Sequence, residues 1–462
     1  MDYARWIWMF LYGLLVVSTM VAVLMDNRQP AKTLAWLLVL TFLPVVGLVL
    51  YVFLGQNDRK KMRITRNGRQ RTPSGDVHDD MAATAIATMM PAQHRALAMQ
   101  FANQSMAMPC SGNAVDIYTS GYEFFPALLT AFGQARRYIW LSTYIIANDA
   151  LGRLIVDALA DRVQAGVEVR LLYDDVGCWS VHNSFFRRMR KKGLKVEAFM
   201  PVHFPALTGK INYRNHRKLC VVDGHTAFIG GMNIALRYVK EWRDTHLRVC
   251  GPVVQAIEAA MFPDTPSHRP PSPVTPHPSP VLMQLVTSSP YAPWPDIMQG
   301  YVRILLEARH YVYMQTPYFL PTEPILVAMH TAALAGVDVR LMVPRHGDAI
   351  LVEWASISYV SQAIDAGVQV YLYQEGFNHS KMLVSDDTLC TCGSTNIDFR
   401  SFENNFEANL FIYDRQLALQ MKEVFLHDTT HCTLANDAPT VRRRPFVRRL
   451  WESIIRLFSP LL

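Results

Sequence analysis

Residues 216–233 read HRKLCVVDGHTAFIGGMN, and residues 379–396 read HSKMLVSDDTLCTCGSTN. Both follow one pattern: His, any residue, Lys, four residues, Asp, six residues, Gly, then Gly or Ser, any residue, and Asn. His216, Lys218, Asp223, Gly230 and Asn233 recur 163 positions later as His379, Lys381, Asp386, Gly393 and Asn396. The apolar runs Leu219-Cys220-Val221-Val222 and Met382-Leu383-Val384 predict buried strands. On a strand, His and Lys two residues apart face the same side. A neutral imidazole can attack phosphorus, and an ammonium beside it neutralises the non-bridging oxygens. A second pair across a pseudo-twofold supplies the complement, a protonated imidazole that gives its proton to the leaving oxygen. Two such pairs make a positive cage that calls for no metal, and neither a metal nor another cofactor is expected.

Each remaining motif position has an expected role. Gly230, Gly231, Gly393 and Ser394 let backbone amides approach a phosphate closely. Asn233 and Asn396 add neutral donors. Asp223 and Asp386 complete the motif, as acceptors at a strand end rather than as proton carriers. Asp244 and Glu407 each lie 28 residues after the histidine of their own copy. A carboxylate there can accept the second ring N–H and fix the tautomer. His203, His225, His246 and His346 lack partners in the repeat and are expected at the surface or in a binding pocket.

The repeat is wider than the motif. ARRYIWLST at 135–143 is matched by ARHYVYMQT at 308–316, and AGVEVRLL at 165–172 by AGVDVRLM at 335–342. Each unit reads as a helix ending in Ala-Gly-Val followed by a β-branched strand. Residues 263–281, PDTPSHRPPSPVTPHPSPV, hold too many prolines for a helix or a sheet interior. The expected organisation is an anchor at 1–57, a basic linker at 58–110 and a first α/β domain at 111–262. A proline-rich linker at 263–281, a second α/β domain at 282–440 and a basic tail at 441–462 follow. The seven cysteines show no paired spacing and read as free thiols.

The chain has 462 residues, of which only 18% are charged, so some apolar sequence lies outside soluble cores. Residues 6–25 and 34–54 are uncharged. Each is about the 20 residues that a helix needs to cross a bilayer. The first run is long for a signal peptide, and Met25-Asp26-Asn27-Arg28 offers no small-residue cleavage site. Two spans forming a hairpin are therefore expected. Between 59 and 71 come Arg59, Lys60, Lys61, Arg63, Arg66, Arg69 and Arg71 without an acid, which places that side in the cytoplasm. Residues 442–462 carry six arginines and one acid, and their apolar positions 447, 450, 451, 454, 455 and 458 share one helical face. That is the composition of a helix lying on anionic lipid. The alternative is a helix docked on the protein's own core.

The duplicated motifs resemble the HKD signature of the phospholipase D superfamily, and more of the chain resembles its bacterial cardiolipin synthase branch. The similarity extends to Pro30 with Thr33-Leu34-Ala35-Trp36-Leu37, to Trp242-Arg243-Asp244-Thr245-His246, to Arg400 through Glu407, and to the tail from Arg442 to Leu462. The departures, Ser380, Met382 and the proline-rich insert, remove no catalytic group. The resemblance implies two homologous phospholipase D-like α/β sandwich domains with pseudo-twofold symmetry, preceded by a two-helix transmembrane hairpin. It implies an active site at the domain interface, phosphatidylglycerol as substrate and a phosphohistidine intermediate. It also implies His216, in the first motif, as nucleophile. The expected setting is a bacterial inner membrane, multi-pass, with the catalytic domains cytoplasmic, anionic lipid as partner and no nucleic acid. Two other readings share the motif. One is a lipid hydrolase or headgroup-exchange enzyme. The other is a nuclease, which the formal charge of +7 allows but the hairpin and tail do not favour.

Overall fold

The computed structural model describes residues 2–25, 30–43, 45–48, 51, 83–202, 213–261, 280–437, 444–457 and 459. The basic run at 59–71, residues 263–279 of the proline-rich segment, His203, Arg442 and Arg443 lie outside the described residues. The chain divides into two compact units. The smaller contains the N-terminal helices Asp2–Met25 and Pro30–Phe42, which pack on each other. Among the described residues only Arg5–Met25 is long and apolar enough to cross a membrane. Among its described residues the second stretch is interrupted at Leu43. Its helix ends at Phe42, and residues 45–48 are helical again. Pro44 explains the end, because a proline disfavours the α conformation in the residue before it.

The larger unit is built on the repeat. Strands β1 (Cys110–Tyr118), β2 (Tyr138–Thr143), β3 (Glu168–Asp174), β4 (Lys195–Phe199), β5 (Leu219–Val222), β6 (Thr226–Gly230) and β7 (His246–Cys250) come from the first half. Strands β8 (Val281–Ser288), β9 (Tyr311–Gln315), β10 (Asp338–Pro344), β11 (Gln369–Tyr373), β12 (Met382–Ser385), β13 (Leu389–Gly393) and β14 (Asn405–Ile412) come from the second. The spatial order is β1-β7-β6-β5-β2-β3-β4 in one half and β8-β14-β13-β12-β9-β10-β11 in the other, so adding seven to each strand number converts one into the other. The segments β2-β3-β4 and β9-β10-β11 are parallel, with helices crossing between their strands. Each crossover helix before β3 and β10 ends at the Ala-Gly-Val signal. Gly166 (φ 85°) and Gly336 (φ 91°) take the left-handed conformation that ends a helix there.

The halves are not two separate sandwiches. β1 pairs antiparallel with β8, Cys110 opposite Met283, and the described residues form one sixteen-stranded sheet through both halves. Strict alternation sorts the side chains. In β2, Ile139 and Leu141 face the first half's helices, while Tyr138 and Trp140 face a core shared by both halves. In β9, Val312 and Met314 are matched in the same way by Tyr311 and Tyr313. Helices Val253–Met261 and Arg415–Thr429 cover the shared face.

Two expected boundaries move. The segment 58–110 is not a linker throughout. Residues 83–89 and Arg95–Ser105 are helical, and Ile86, Leu97 and Phe101 lie in the second half's core with Tyr301 and Phe411. The spacing of Leu97 and Phe101 puts both on one face, and burying a ring such as Phe101 is worth about 1.5–3 kcal/mol. Val281, assigned to the proline-rich linker, already belongs to β8.

The tail helix Phe446–Arg456 packs on helix Ile350–Asp365. Ile455 is buried with Leu320 and Ala355, and buried Glu452 is held by Arg444 and Arg448. The expected single apolar face is thus divided. Ile455 turns to the protein, whereas Phe446, Val447, Leu450, Trp451 and Leu457 are exposed. Phe458 lies outside the described residues.

The β5–β6 and β12–β13 turns fix the motif strands. Asp223 (φ 54°) and Asp386 (φ 50°) are left-handed, as a short polar side chain permits. The Asp223 carboxylate accepts from the N–H groups of Arg136, Arg137 and Tyr138, and that of Asp386 from Arg309, His310 and Tyr311. Each aspartate thus ties its turn to the start of β2 or β9. Replacing either by Ala removes three charge-assisted hydrogen bonds and should lower stability by about 1–3 kcal/mol, since several are exposed to water. A denaturant titration of the detergent-solubilised variants reads this as a lower midpoint. An unchanged midpoint rules the tie out.

Candidate active site

The two motifs meet in one cavity of about 320 Å³, lined by both histidines. Their attachment is crossed. His216 N–H donates to the Phe406 carbonyl at 3.0 Å, and His379 N–H to the Arg243 carbonyl at 2.7 Å. Short parallel pairs reinforce this: Arg214–Asn215 beside Asn405–Phe406, and Phe377–Asn378 beside Trp242–Arg243. The carboxylates cross as well. His216 Nδ1 lies 3.0 Å from Glu407 Oε1 and 3.1 Å from Oε2, and His379 Nδ1 lies 2.6 Å from Asp244 Oδ2. Each histidine is oriented by the acid of the other copy, not of its own. The reason is topological: Asp244 precedes β7 and Glu407 lies in β14, and these strands run to the centre of the joined sheet.

The environments of the two rings differ. His216 Nδ1 also lies 3.0 Å from the Ser394 carbonyl, so that nitrogen faces only acceptors and carries the proton. His379 Nδ1 lies 2.8 Å from Lys381 Nζ, a donor. Burial pushes the Asp244 carboxyl up, even though Lys381 and the Thr245 N–H pull the other way. Burial also acts to raise Glu407, but His216, Lys218 and the Ser394 hydroxyl outweigh it and hold this carboxylate below its usual range. Burial lowers the pKa of His216 against the pull of Glu407. It lowers that of His379 further, aided by Lys381, Lys218 and His216.

Several expected roles change. Lys218 and Lys381 do not line the cavity. Both are buried, and each ammonium donates to the carbonyl of its own motif's histidine. Their charge therefore sits directly behind the rings. The glycine amides do not face the cavity either, because Gly231 N–H donates to Thr245 O and Gly393 N–H to Lys381 O. A Cβ on Gly231 would stand 2.1 Å from Asp244 Oδ1, and one on Gly230 2.5 Å from the His246 Cα. These glycines admit the orienting carboxylate and the neighbouring strand, not a phosphate. Gly393 likewise lies against Ala408 and Asn409. The Ser394 hydroxyl donates to Glu407.

Asn233 and Asn396 do line the cavity. Asn233 bridges Ile145 N–H and the Tyr238 hydroxyl, and Asn396 donates to Asp398. Asp223 and Asp386 are remote from the lining. His225 and His346 are exposed, as expected. His246 is neither at the surface nor in the cavity: it is buried, stacked 4.1 Å from Phe124, and burial pushes its pKa down to about 3. The cysteines are free thiols.

The motif reading also passed over residues that line the cavity. Arg237 and Arg400 do so, four residues past the motif asparagines and in the same 163-residue register. Extending the alignment by one helical turn would have found them. Tyr144, Tyr238, Tyr318 and Asp348 carry no such signal.

Lys381 is pushed down to about 8, by burial first, against the attraction of Asp244 and Glu407. Its ammonium is therefore present below about 8 and lost as the pH rises through that value. The site loses positive charge on the alkaline side, and kcat/KM should fall above about pH 8. An active Lys381→Arg variant, which stays charged, should keep its rate to higher pH. An alkaline limb at the same pH in this variant would assign the titration to another group.

Known proteins resemble the chain along most of its length. A family model described as cardiolipin synthase, PLD-like domain, matches residues 128–261 and again 301–429. A model described as Phospholipase_D-nuclease N-terminal matches residues 13–56. Cardiolipin synthase 1 of Staphylococcus epidermidis is 36% identical over 458 residues, covering 95% of this chain and 93% of that protein. The major cardiolipin synthase of Bacillus subtilis is 34% identical over 471 residues, covering 97% of each. In fold the chain is similar to the crystal structure of phosphatidylserine synthase from Haemophilus influenzae. The TM-score is 0.60 at 14% identity, over 75% of this chain and 95% of that one. Two copies of one motif, two crossed carboxylates and near full-length similarity lead to one assignment: the chain belongs to the cardiolipin synthase family of the phospholipase D superfamily.

Proposed function

We infer that the protein transfers a phosphatidyl group from one phosphatidylglycerol to a second, releasing glycerol and forming cardiolipin. The observation that carries this reading is the meeting of both His–Lys motifs in one cavity, each ring held by a carboxylate of the other copy. His216 is the nucleophile. Its Nδ1 proton is directed at an ionised Glu407, so Nε2 keeps its lone pair. The attacked ring becomes positive, and the carboxylate 3.0 Å away stabilises that charge. His379 is the acid. With its Nδ1–H held by Asp244 Oδ2 at 2.6 Å, the His379 imidazolium passes its Nε2 proton to the departing glycerol oxygen and is left as a neutral ring. In the second step His379 takes a proton from the incoming headgroup hydroxyl, whose oxygen then displaces His216 from phosphorus. Lys218 and Lys381 supply positive potential for the phosphodiester, and no step uses a metal.

The two roles separate in an adduct experiment. With a phosphatidyl p-nitrophenyl ester, whose leaving group requires no proton, His379→Asn should still accept the phosphatidyl group on His216 and retain it. His216→Asn should form no adduct. Intact-mass measurement reads both. An adduct on His379 in the His216 variant alone would reverse the roles.

The protein works at the surface of an anionic bilayer, held by an N-terminal hairpin with the catalytic unit in the cytoplasm of a bacterial cell. The apolar helix Arg5–Met25 and the exposed face Phe446, Val447, Leu450, Trp451 and Leu457, bordered by arginines, support this. On intact cells an impermeant thiol reagent should label a reporter cysteine at position 29 and spare one at 75. The opposite pattern overturns the orientation. Leu450→Glu should weaken binding of the detergent-extracted protein to anionic vesicles, and unchanged binding removes the tail from the lipid contact.

A further inference from the structure

The duplication separates what the two ends of the cavity share from what they do not. The histidines, lysines, orienting acids and Arg237/Arg400 occur at both ends. The neighbours of the rings differ. Counting by the same register, Arg214 on the His216 side corresponds to Phe377 on the His379 side, and Asn405 corresponds to Trp242. The His216 end therefore carries Arg214 and Asn405, with the single ring of Tyr144 at 5.1 Å from that of His216. The His379 ring instead lies among aromatics, with Trp242 at 4.9 Å, Tyr238 at 5.4 Å and Tyr318 at 6.5 Å between centroids.

Two further groups stand at that end. Asp348 lines the cavity and accepts a hydrogen bond from the Tyr318 hydroxyl at 2.8 Å on Oδ2. Its Oδ1 takes no hydrogen bond from the described residues. The Arg237 guanidinium lies 4.4 Å over the Trp242 ring and also lines the cavity. It makes no hydrogen bond or ion pair with the described residues.

We propose that the His379 end is the site for the alcohol, in which Asp348 and Tyr318 hold glycerol hydroxyls and Arg237 holds the acceptor lipid's own phosphodiester. This rests on the transfer reading above. In that reaction the leaving oxygen stands opposite the His216–phosphorus bond and beside His379, and the incoming hydroxyl returns by the same path. The site thus takes glycerol twice, first as the departing product and then as the acceptor's headgroup. A vicinal diol offers two donors, which a carboxylate oxygen can accept. Its C–H edges fit an aromatic wall. The acceptor differs from free glycerol in carrying a phosphate three carbons away. An arginine stacked on Trp242, with no ion pair among the described residues, is suited to that phosphate. Water offers neither feature, so these residues favour transfer over hydrolysis. In transfer the N–P bond to His216 breaks as the O–P bond to the acceptor forms, and the hydroxyl proton passes to His379.

The test uses the full-length protein in detergent with phosphatidylglycerol and labelled free glycerol. Three products are followed together: cardiolipin, phosphatidylglycerol relabelled by glycerol exchange, and phosphatidic acid. Arg237→Gln should lower cardiolipin relative to glycerol exchange about tenfold, the loss of one charge-assisted contact, and Arg237→Lys should recover part of that ratio. Asp348→Asn and Tyr318→Phe should lower both cardiolipin and exchange relative to phosphatidic acid. Ratios within one sample are insensitive to partial misfolding. Parallel loss of all three products in these variants, or unchanged ratios, overturns the alcohol site. If the unmodified protein makes phosphatidic acid but neither cardiolipin nor exchanged lipid, the transfer reading itself falls, and the site with it.

Discussion

The structure depends on a pair of crossed attachments. His216 is held by Phe406 and Glu407, and His379 by Arg243 and Asp244, so neither copy of the motif contains what orients its own histidine. A buried carboxylate and a buried ammonium each carry a large desolvation cost unless paired. Here Glu407, Asp244, Lys218 and Lys381 are all buried within one group. That group exists only when both halves are folded and joined, so the active site and the joint between the halves are the same construction. The β1–β8 pairing, which makes the two sheets continuous, keeps the crossed pairs in register.

Much of this was readable from residue spacing. The motif histidines, lysines and orienting acids stand at fixed offsets, and a fixed offset in two homologous strands means equivalent positions in space. The β2-β3-β4 and β9-β10-β11 crossovers were legible in their Ala-Gly-Val endings for the same local reason. What spacing does not carry is the direction in which a strand's partner lies. Asp244 follows His216 in sequence, yet it serves His379, because β7 sits between β1 and β6 near the centre of the sheet.

The glycines show a similar limit. A Gly-Gly pair beside phosphate chemistry suggests amides turned toward an anion. A Cβ placed on Gly231 shows instead that the absent atom is where the Asp244 carboxylate passes. Both readings need a residue without a side chain, and only the neighbour across the strand distinguishes them. The helices at 83–105 are hard to read because a strongly basic stretch of sequence precedes them, and the pairs Ile86–Met90 and Leu97–Phe101 mark their inward face. The tail is amphipathic, but Ile455 faces the protein because Glu452 beside it is satisfied by Arg444 and Arg448.

The constant offset of seven strands that maps one half of the sheet onto the other has a historical consequence. A chain with a single copy of this repeat would hold a histidine and an acid that cannot reach each other, and could work only as two identical chains about a true twofold. Such a pair is bound to symmetry: any change at one end of the cavity appears at the other. Fusion into one polypeptide removes that bond. Arg214 can then diverge from Phe377 and Asn405 from Trp242 while both histidines stay unchanged. Donor and acceptor, chemically the same lipid, can thereby be met by two different surfaces.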